Sequence, residues 1–133
     1  MLSSLLLTLF IAMLLPFLAK APLAFAMQKS GGYDNNNPRE QQATLKGFGQ
    51  RANAAHYNSF EALIIYGCAV LTAIAAGAGT VDNTTVLLGW AFIASRIAYL
   101  LCYWLDYATL RSAVWLVGIV AAFSMAGRAL LGG

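Results

Sequence analysis

Four long apolar runs dominate the sequence and leave the chain few ways to fold. They cover about residues 2–27, 52–79, 84–105 and 110–131. Each reaches the ~20 residues that an α-helix needs to cross a hydrocarbon core. The first contains LLLTLFIAMLLPFLA, which is almost wholly apolar. Water is a poor solvent for such a chain: 60% of the residues are hydrophobic and 10% charged, whereas soluble domains carry roughly 25% charge. A domain this small also leaves much of its surface uncovered. Links at 80–83 and 106–109 are short enough to force antiparallel neighbours. Stretches such as AVLTAIAAGAGT and GIVAAFSMAG supply the small side chains that let helices approach closely in lipid. The expected fold is all-α, an integral-membrane four-helix up-down bundle occupying residues 1–133 as one domain.

Punctuation inside and between the runs adds an orientation. Pro16 predicts a kink rather than a break, as prolines in membrane helices usually do, and Lys20 is placed to snorkel toward the headgroups. Ala24-Phe25-Ala26 has the form of a signal-peptide cleavage site. However, residues 2–8 carry no cation and Lys20 interrupts the run, so a retained span is the better reading. The one substantial loop, 28–51, holds Lys29, Arg39, Lys46 and Arg51, while the opposite loop holds only Asp82. The positive-inside rule then places the long loop in the cytoplasm and both termini outside. Asp34, the asparagines and Pro38 are turn chemistry, with helix able to resume from Arg39 or Glu40.

Ionisable residues inside a span are costly and default to a functional hypothesis. Arg51, Asn58 and Glu61 fall at spacings that share one face of the second long helix, and Arg96, Tyr99 and Tyr103 share one face of the third. At ~1.5 Å per residue, Glu61 and Arg96 both lie roughly 14 to 15 Å from the loop end. Matched depth predicts an ion pair, serving either as a bundle fastener or as a joint site for a zwitterionic ligand. Arg111 opens the fourth helix at the membrane boundary, where an arginine is an orientation anchor or a ligand contact. Arg128 is expected to snorkel at the far end, and Trp104 to sit in the interface belt.

Several chemistries are disfavoured. His56 is the only histidine, so no His-based metal cluster is available; near the interface, it reads as a solvated or helix-contacting side chain. Cys68 and Cys102 lie in apolar runs without ligand spacing and read as packing residues. The +3 net charge comes from eight scattered cations, not from a basic patch of the kind that binds nucleic acid. No phosphate loop, Ser-His-Asp set or carboxylate pair is visible.

The stretch Ala55-His56-Tyr57-Asn58-Ser59-Phe60-Glu61 resembles the second-helix signature of the MAPEG family, the membrane-associated proteins in eicosanoid and glutathione metabolism. Arg96-Ile97-Ala98-Tyr99 with Tyr103, and Thr109-Leu110-Arg111-Ser112, resemble the same family's third and fourth helices. YDNNNPR is most similar to its bacterial branch, which implies a multi-pass protein of a bacterial inner membrane. The resemblance implies a homotrimer that binds glutathione as co-substrate in a cleft between protomers. Asn58, Glu61, Arg96 and Tyr103 stand at positions that contact the tripeptide, and Tyr99 lies among them. Arg111 matches the arginine assigned to thiolate stabilisation. The implied activity is a glutathione-dependent transferase or peroxidase acting on lipophilic electrophiles. The family also has a non-enzymatic lipid-binding member, so a lipid-binding or scaffolding role is the alternative. A transporter is a weaker third reading, with few helices and no inverted repeat. The sequence departs from the enzymes at Ala54, where they carry an arginine, at Tyr57, where some carry another, and near Trp115, where some carry a tyrosine. Arg51 is the cation placed to compensate, if loop 28–51 folds it inward.

Overall fold

The computed structural model describes residues 1–132, and the chain runs through five α-helices. They are α1 (Leu2–Lys29), α2 (Pro38–Thr44), α3 (Phe48–Ala76), α4 (Asn83–Trp104) and α5 (Ala108–Leu130). All but α2 are long and apolar enough to cross a membrane. The four-span expectation holds, and the two largest shifts at helix ends both fall in α3. α3 begins at Phe48 rather than Ala52, because hydropathy marks where lipid starts and not where the backbone starts to coil. Its polar opening turn is already helical, launched from Gly47 at φ 58°. α3 stops at Ala76 rather than Gly79, since Ala78 and Gly79 take φ 49° and 85°, which a helix cannot continue through.

α1 packs on α3 and α4, and α5 packs on the same two helices. α3 and α4 also touch, so α1 and α5 take the far corners of the bundle. The core divides along the membrane normal. Leu5, Tyr66, Val70, Phe92 and Met125 fill the half nearest the termini. Leu15, Ala19, Ala55, Tyr99 and Leu100 fill the half nearest the long loop. Trp104 packs between that cluster and one made by Leu23, Met27, Leu45 and Ala52. It therefore points inward, against the interface-belt expectation, because the loop end of the bundle is built around it.

In the half near the termini one polar contact is enclosed completely. The Thr8 hydroxyl donates to the Leu5 carbonyl at 2.6 Å, which leaves its oxygen to accept from the Tyr66 hydroxyl at 2.5 Å. Tyr66 also stacks on Phe92 with centroids 4.0 Å apart. α4 meets this pair at Gly89. A Cβ there would lie 2.8 Å from the Tyr66 hydroxyl and 3.1 Å from Thr8 Oγ1.

The short connection before α4 is closed by its own charges. Asp82 caps α4 by accepting from the Thr85 amide at 2.8 Å, and Arg128 donates to its other oxygen at 2.8 Å. Arg128 thus pairs across helices instead of snorkelling alone. On the same side Trp90 Nε1 donates to Ser4 Oγ at 3.1 Å, tying α4 to α1.

The long loop is ordered by hydrogen bonds. Asp34 Oδ1 accepts from the amides of Asn36 and Asn37, and Pro38 takes the first turn of α2. Gln41 then pulls the loop onto α1: its Nε2 donates to the Met27 and Gly32 carbonyls, and its Oε1 accepts from the Asp34 amide.

Gly89→Val overpacks a site where three helices meet. It is expected to lower the stability of the detergent-solubilised protein by about 1–3 kcal/mol, read by thermal melting. The Thr85 amide and hydroxyl hold the Asp82 carboxyl below its ordinary value of 3.8, with Arg128 adding to the effect. A lowered acid pKa stabilises the fold above the unfolded value and ceases to do so as pH falls through the folded one. Wild-type protein is therefore expected to lose melting temperature below pH 3.8 more steeply than Asp82→Asn.

Candidate functional site

The intramembrane polar residues gather at the loop end, between α3, α4 and the start of α5. Their anchor is Arg96, which is 3% exposed. Its Nη2 donates to Asn58 Oδ1 at 2.8 Å, and its guanidinium lies 4.1 Å from the Tyr99 ring centroid. Tyr99 meets Tyr103 edge to face at 5.4 Å, and the Arg111 guanidinium lies 4.4 Å from the Tyr103 centroid. The result is a ladder of Asn58, Arg96, Tyr99, Tyr103 and Arg111 crossing from α3 through α4 to α5. The helix periodicity makes this possible: positions 96, 99 and 103 form one stripe of α4. The two rings lie between the two cations, so each guanidinium faces a π-cloud.

Arg111 occupies a strained electrostatic position. It lies in the first turn of α5, where the helix dipole already presents positive charge. The helix gains nothing from a cation there, and an incoming anion gains from both. Tyr99, Tyr103, Arg111, Ser112 and Trp115 line a cleft of about 230 Å³ beside it.

The expected Glu61–Arg96 ion pair does not form. Among the described residues the ion pairs are Arg51–Asp106 and Arg128–Asp82. Arg96 turns into the seam between helices and takes Asn58 instead. Glu61 is exposed, on the outward stripe of α3 shared with Ile64, Cys68 and Leu71.

Arg51 is not folded into the cleft. Its Nε donates to the Tyr103 carbonyl at 3.2 Å and lies 3.9 Å from Asp106 Oδ1. It therefore closes the C-terminal end of α4, where a cation is favoured. Asp106 stands in the left-handed region at φ 65°, which aspartate tolerates better than most residues. Arg51 thus braces the backbone of a ladder residue and supplies no charge to the cleft.

Three residues have roles that sequence reasoning missed or misplaced. His56 is buried, and its Nδ1 lies 2.8 Å from the Pro16 carbonyl. A carbonyl only accepts, so Nδ1 carries the proton and the ring clamps α3 to α1. Its helix-contacting reading stands; its interface placement does not. Gln42 accepts from the Tyr57 hydroxyl at 2.9 Å and so ties α2 to α3. A polar residue on a short loop helix carries no sequence signal for such a contact. Of the two cysteines, Cys102 is buried as expected of a packing residue, but Cys68 is exposed.

Four spanning helices, three of them joined by an arginine-tyrosine ladder, define a polytopic membrane bundle with a positively charged cleft at one end. The chain belongs to the MAPEG family, whose model matches residues 4–131. It is accordingly an integral multi-pass membrane protein of a family that includes glutathione transferases and peroxidases. No curated protein and no solved structure matches the chain.

Asn58→Ala would leave the Arg96 guanidinium buried without its hydrogen-bond acceptor. Losing a bond to a charged group costs about 1.5–3 kcal/mol, and the expected result is a melting temperature lowered to match. Asn58→Asp, which keeps the acceptor and adds a countercharge, should retain most of the stability in the same assay.

Proposed function

We propose that the chain is the protomer of a homotrimeric glutathione-dependent transferase or peroxidase that acts on lipophilic electrophiles. The observation that carries this reading is Arg111, held over Tyr103 at the mouth of the cleft on the first turn of α5. Two sources of positive potential converge there. A thiol entering the cleft would lose its proton more readily, because a neighbouring cation favours the thiolate. The thiolate would then attack an electrophile arriving from the lipid, forming the new bond to sulfur as the leaving group departs.

Glutathione suits the residue types present. Its carboxylates match Arg96 and Arg111, and its ammonium matches Glu61. Tyr99 and Tyr103 offer hydroxyls, and Asn58 holds Arg96 in place. Arg51 acts at one remove, by fixing the Tyr103 backbone. Ala54 and Tyr57 leave the site with fewer cations than the enzymes it resembles, so weaker glutathione binding is expected.

The exposure of Glu61 supports assembly. A charged side chain facing hydrocarbon costs about 2.5–3.5 kcal/mol or more near a span's centre. A neighbouring protomer covering that stripe of α3 would remove the cost and bring Glu61 to an inter-subunit cleft. In this reading the long loop lies in the cytoplasm of a bacterial inner membrane and both termini lie outside.

A lipid-binding scaffold of the same fold is the second reading. Arg96 favours it, because it is buried and already held in place by Asn58 and Tyr99. The two readings separate in one titration. Wild-type protein in detergent is expected to bind glutathione and to show the ultraviolet band of a thiolate. Arg111→Ala should remove the band and lower turnover with a generic electrophile by about 10²-fold or more, while the trimer persists on size-exclusion chromatography. Wild-type protein with neither binding nor turnover would leave the scaffold reading in possession.

A further inference from the structure

A second charged cleft lies at the loop end, on the opposite side of α3 from the arginine-tyrosine ladder. It opens where α1 ends and α3 begins and measures about 280 Å³. Its walls divide by chemistry. Phe25, Leu45 and Phe48 supply apolar surface, and Lys29, Ser30 and Lys46 supply polar surface. No carboxylate lines it. Among the described residues neither lysine forms an ion pair. Lys29 sits over the Phe25 ring at 4.9 Å, and Lys46 is exposed. The loop's own acids do not neutralise them: Asp34 is engaged by the Asn36 and Asn37 amides, and Glu40 belongs to the first turn of α2.

We propose that this cleft is a binding site for one anionic phospholipid per protomer, with the phosphate between Lys29 and Lys46 and the acyl chains descending along α1. Position, charge and shape agree on this occupant. The cleft lies at the end of an apolar span, which is headgroup depth. Two unpaired ammonium groups attract a lipid of net negative charge over a zwitterionic one. Below them Phe25, Leu18 and Leu14 form an exposed stripe on one face of α1, 58%, 62% and 42% accessible, which continues the apolar wall into the bilayer. The lysine stems extend that apolar surface while their ammonium groups reach the phosphate. The proposal is independent of glutathione chemistry, since no residue of this cleft lines the other.

Native mass spectrometry of the full chain in mild detergent, titrated with phosphatidylglycerol or phosphatidylcholine, tests it. Wild-type protein should retain one phosphatidylglycerol per protomer about tenfold more tightly than phosphatidylcholine. Lys29→Gln with Lys46→Gln should erase the preference, and Ser30→Glu, which adds a carboxylate to the cleft wall, should do the same. Lys29→Arg with Lys46→Arg should keep it, as should Arg39→Gln, which removes a loop cation outside the cleft. All substituted positions are exposed, so the fold is not at stake. Equal retention of the two lipids by wild-type protein overturns the proposal. So does a preference that survives both the double glutamine variant and Ser30→Glu. Loss of the preference in Arg39→Gln to the same degree would also overturn it, because diffuse loop charge would then account for the binding.

Discussion

A guanidinium buried in a lipid-embedded bundle has to be satisfied by protein, and much of the loop half of this molecule follows from how Arg96 meets that demand. Its partners come from two helices: Asn58 of α3 by hydrogen bond and Tyr99 of its own α4 by ring face. Neither partner is charged, so the cation is held without being neutralised. That leaves a net positive interior at the loop end, and Arg111 adds to it through Tyr103. The arrangement costs stability relative to an apolar seam. Its return is a positively charged cleft whose walls are held by rings packed edge to face rather than by flexible loops.

The rest of the bundle supports this arrangement by fastening α4 at both ends. Arg51 closes its C-terminal turn through the Tyr103 carbonyl, and Asp82 caps its N-terminus while pairing with Arg128 of α5. Between the ends, close approach depends on small residues. Gly89 lets α4 meet Thr8 and Tyr66, and a Cβ at Gly118 would lie only 2.5 Å from Ser95 Oγ. Lipid provides little hydrophobic drive between helices, so such packing and the inter-helix hydrogen bonds carry the association. The residues of the ladder thus keep their heights through contacts at both ends of α4 and along its length.

Much of the site was legible in the sequence, and what was misread has one geometric cause. Asn58, Arg96, Tyr99, Tyr103 and Arg111 do come together, as their faces and depths implied. Glu61 does not join them. Three residues along an α-helix leave about 60° between side chains. That angle is enough to put Asn58 in the seam and Glu61 on the outside. Depth matching sees height along the membrane normal and is blind to rotation about the helix axis. Arg51 escaped for a related reason: its partner is a backbone carbonyl, and every residue has one.

The number of spans, their antiparallel order, the membrane as solvent and the heights of the polar residues were all decided by the sequence itself. These depend on run length and on rise per residue, which are local. The tertiary structure alone decided which side of each helix faces a neighbour, that His56 clamps α1 and that Trp104 turns inward. It also decided that two lysines distant in sequence, Lys29 and Lys46, flank one cleft. These outcomes depend on rotation and packing between helices, where apolar surface is plentiful on every face and hydrophobicity alone cannot choose among them.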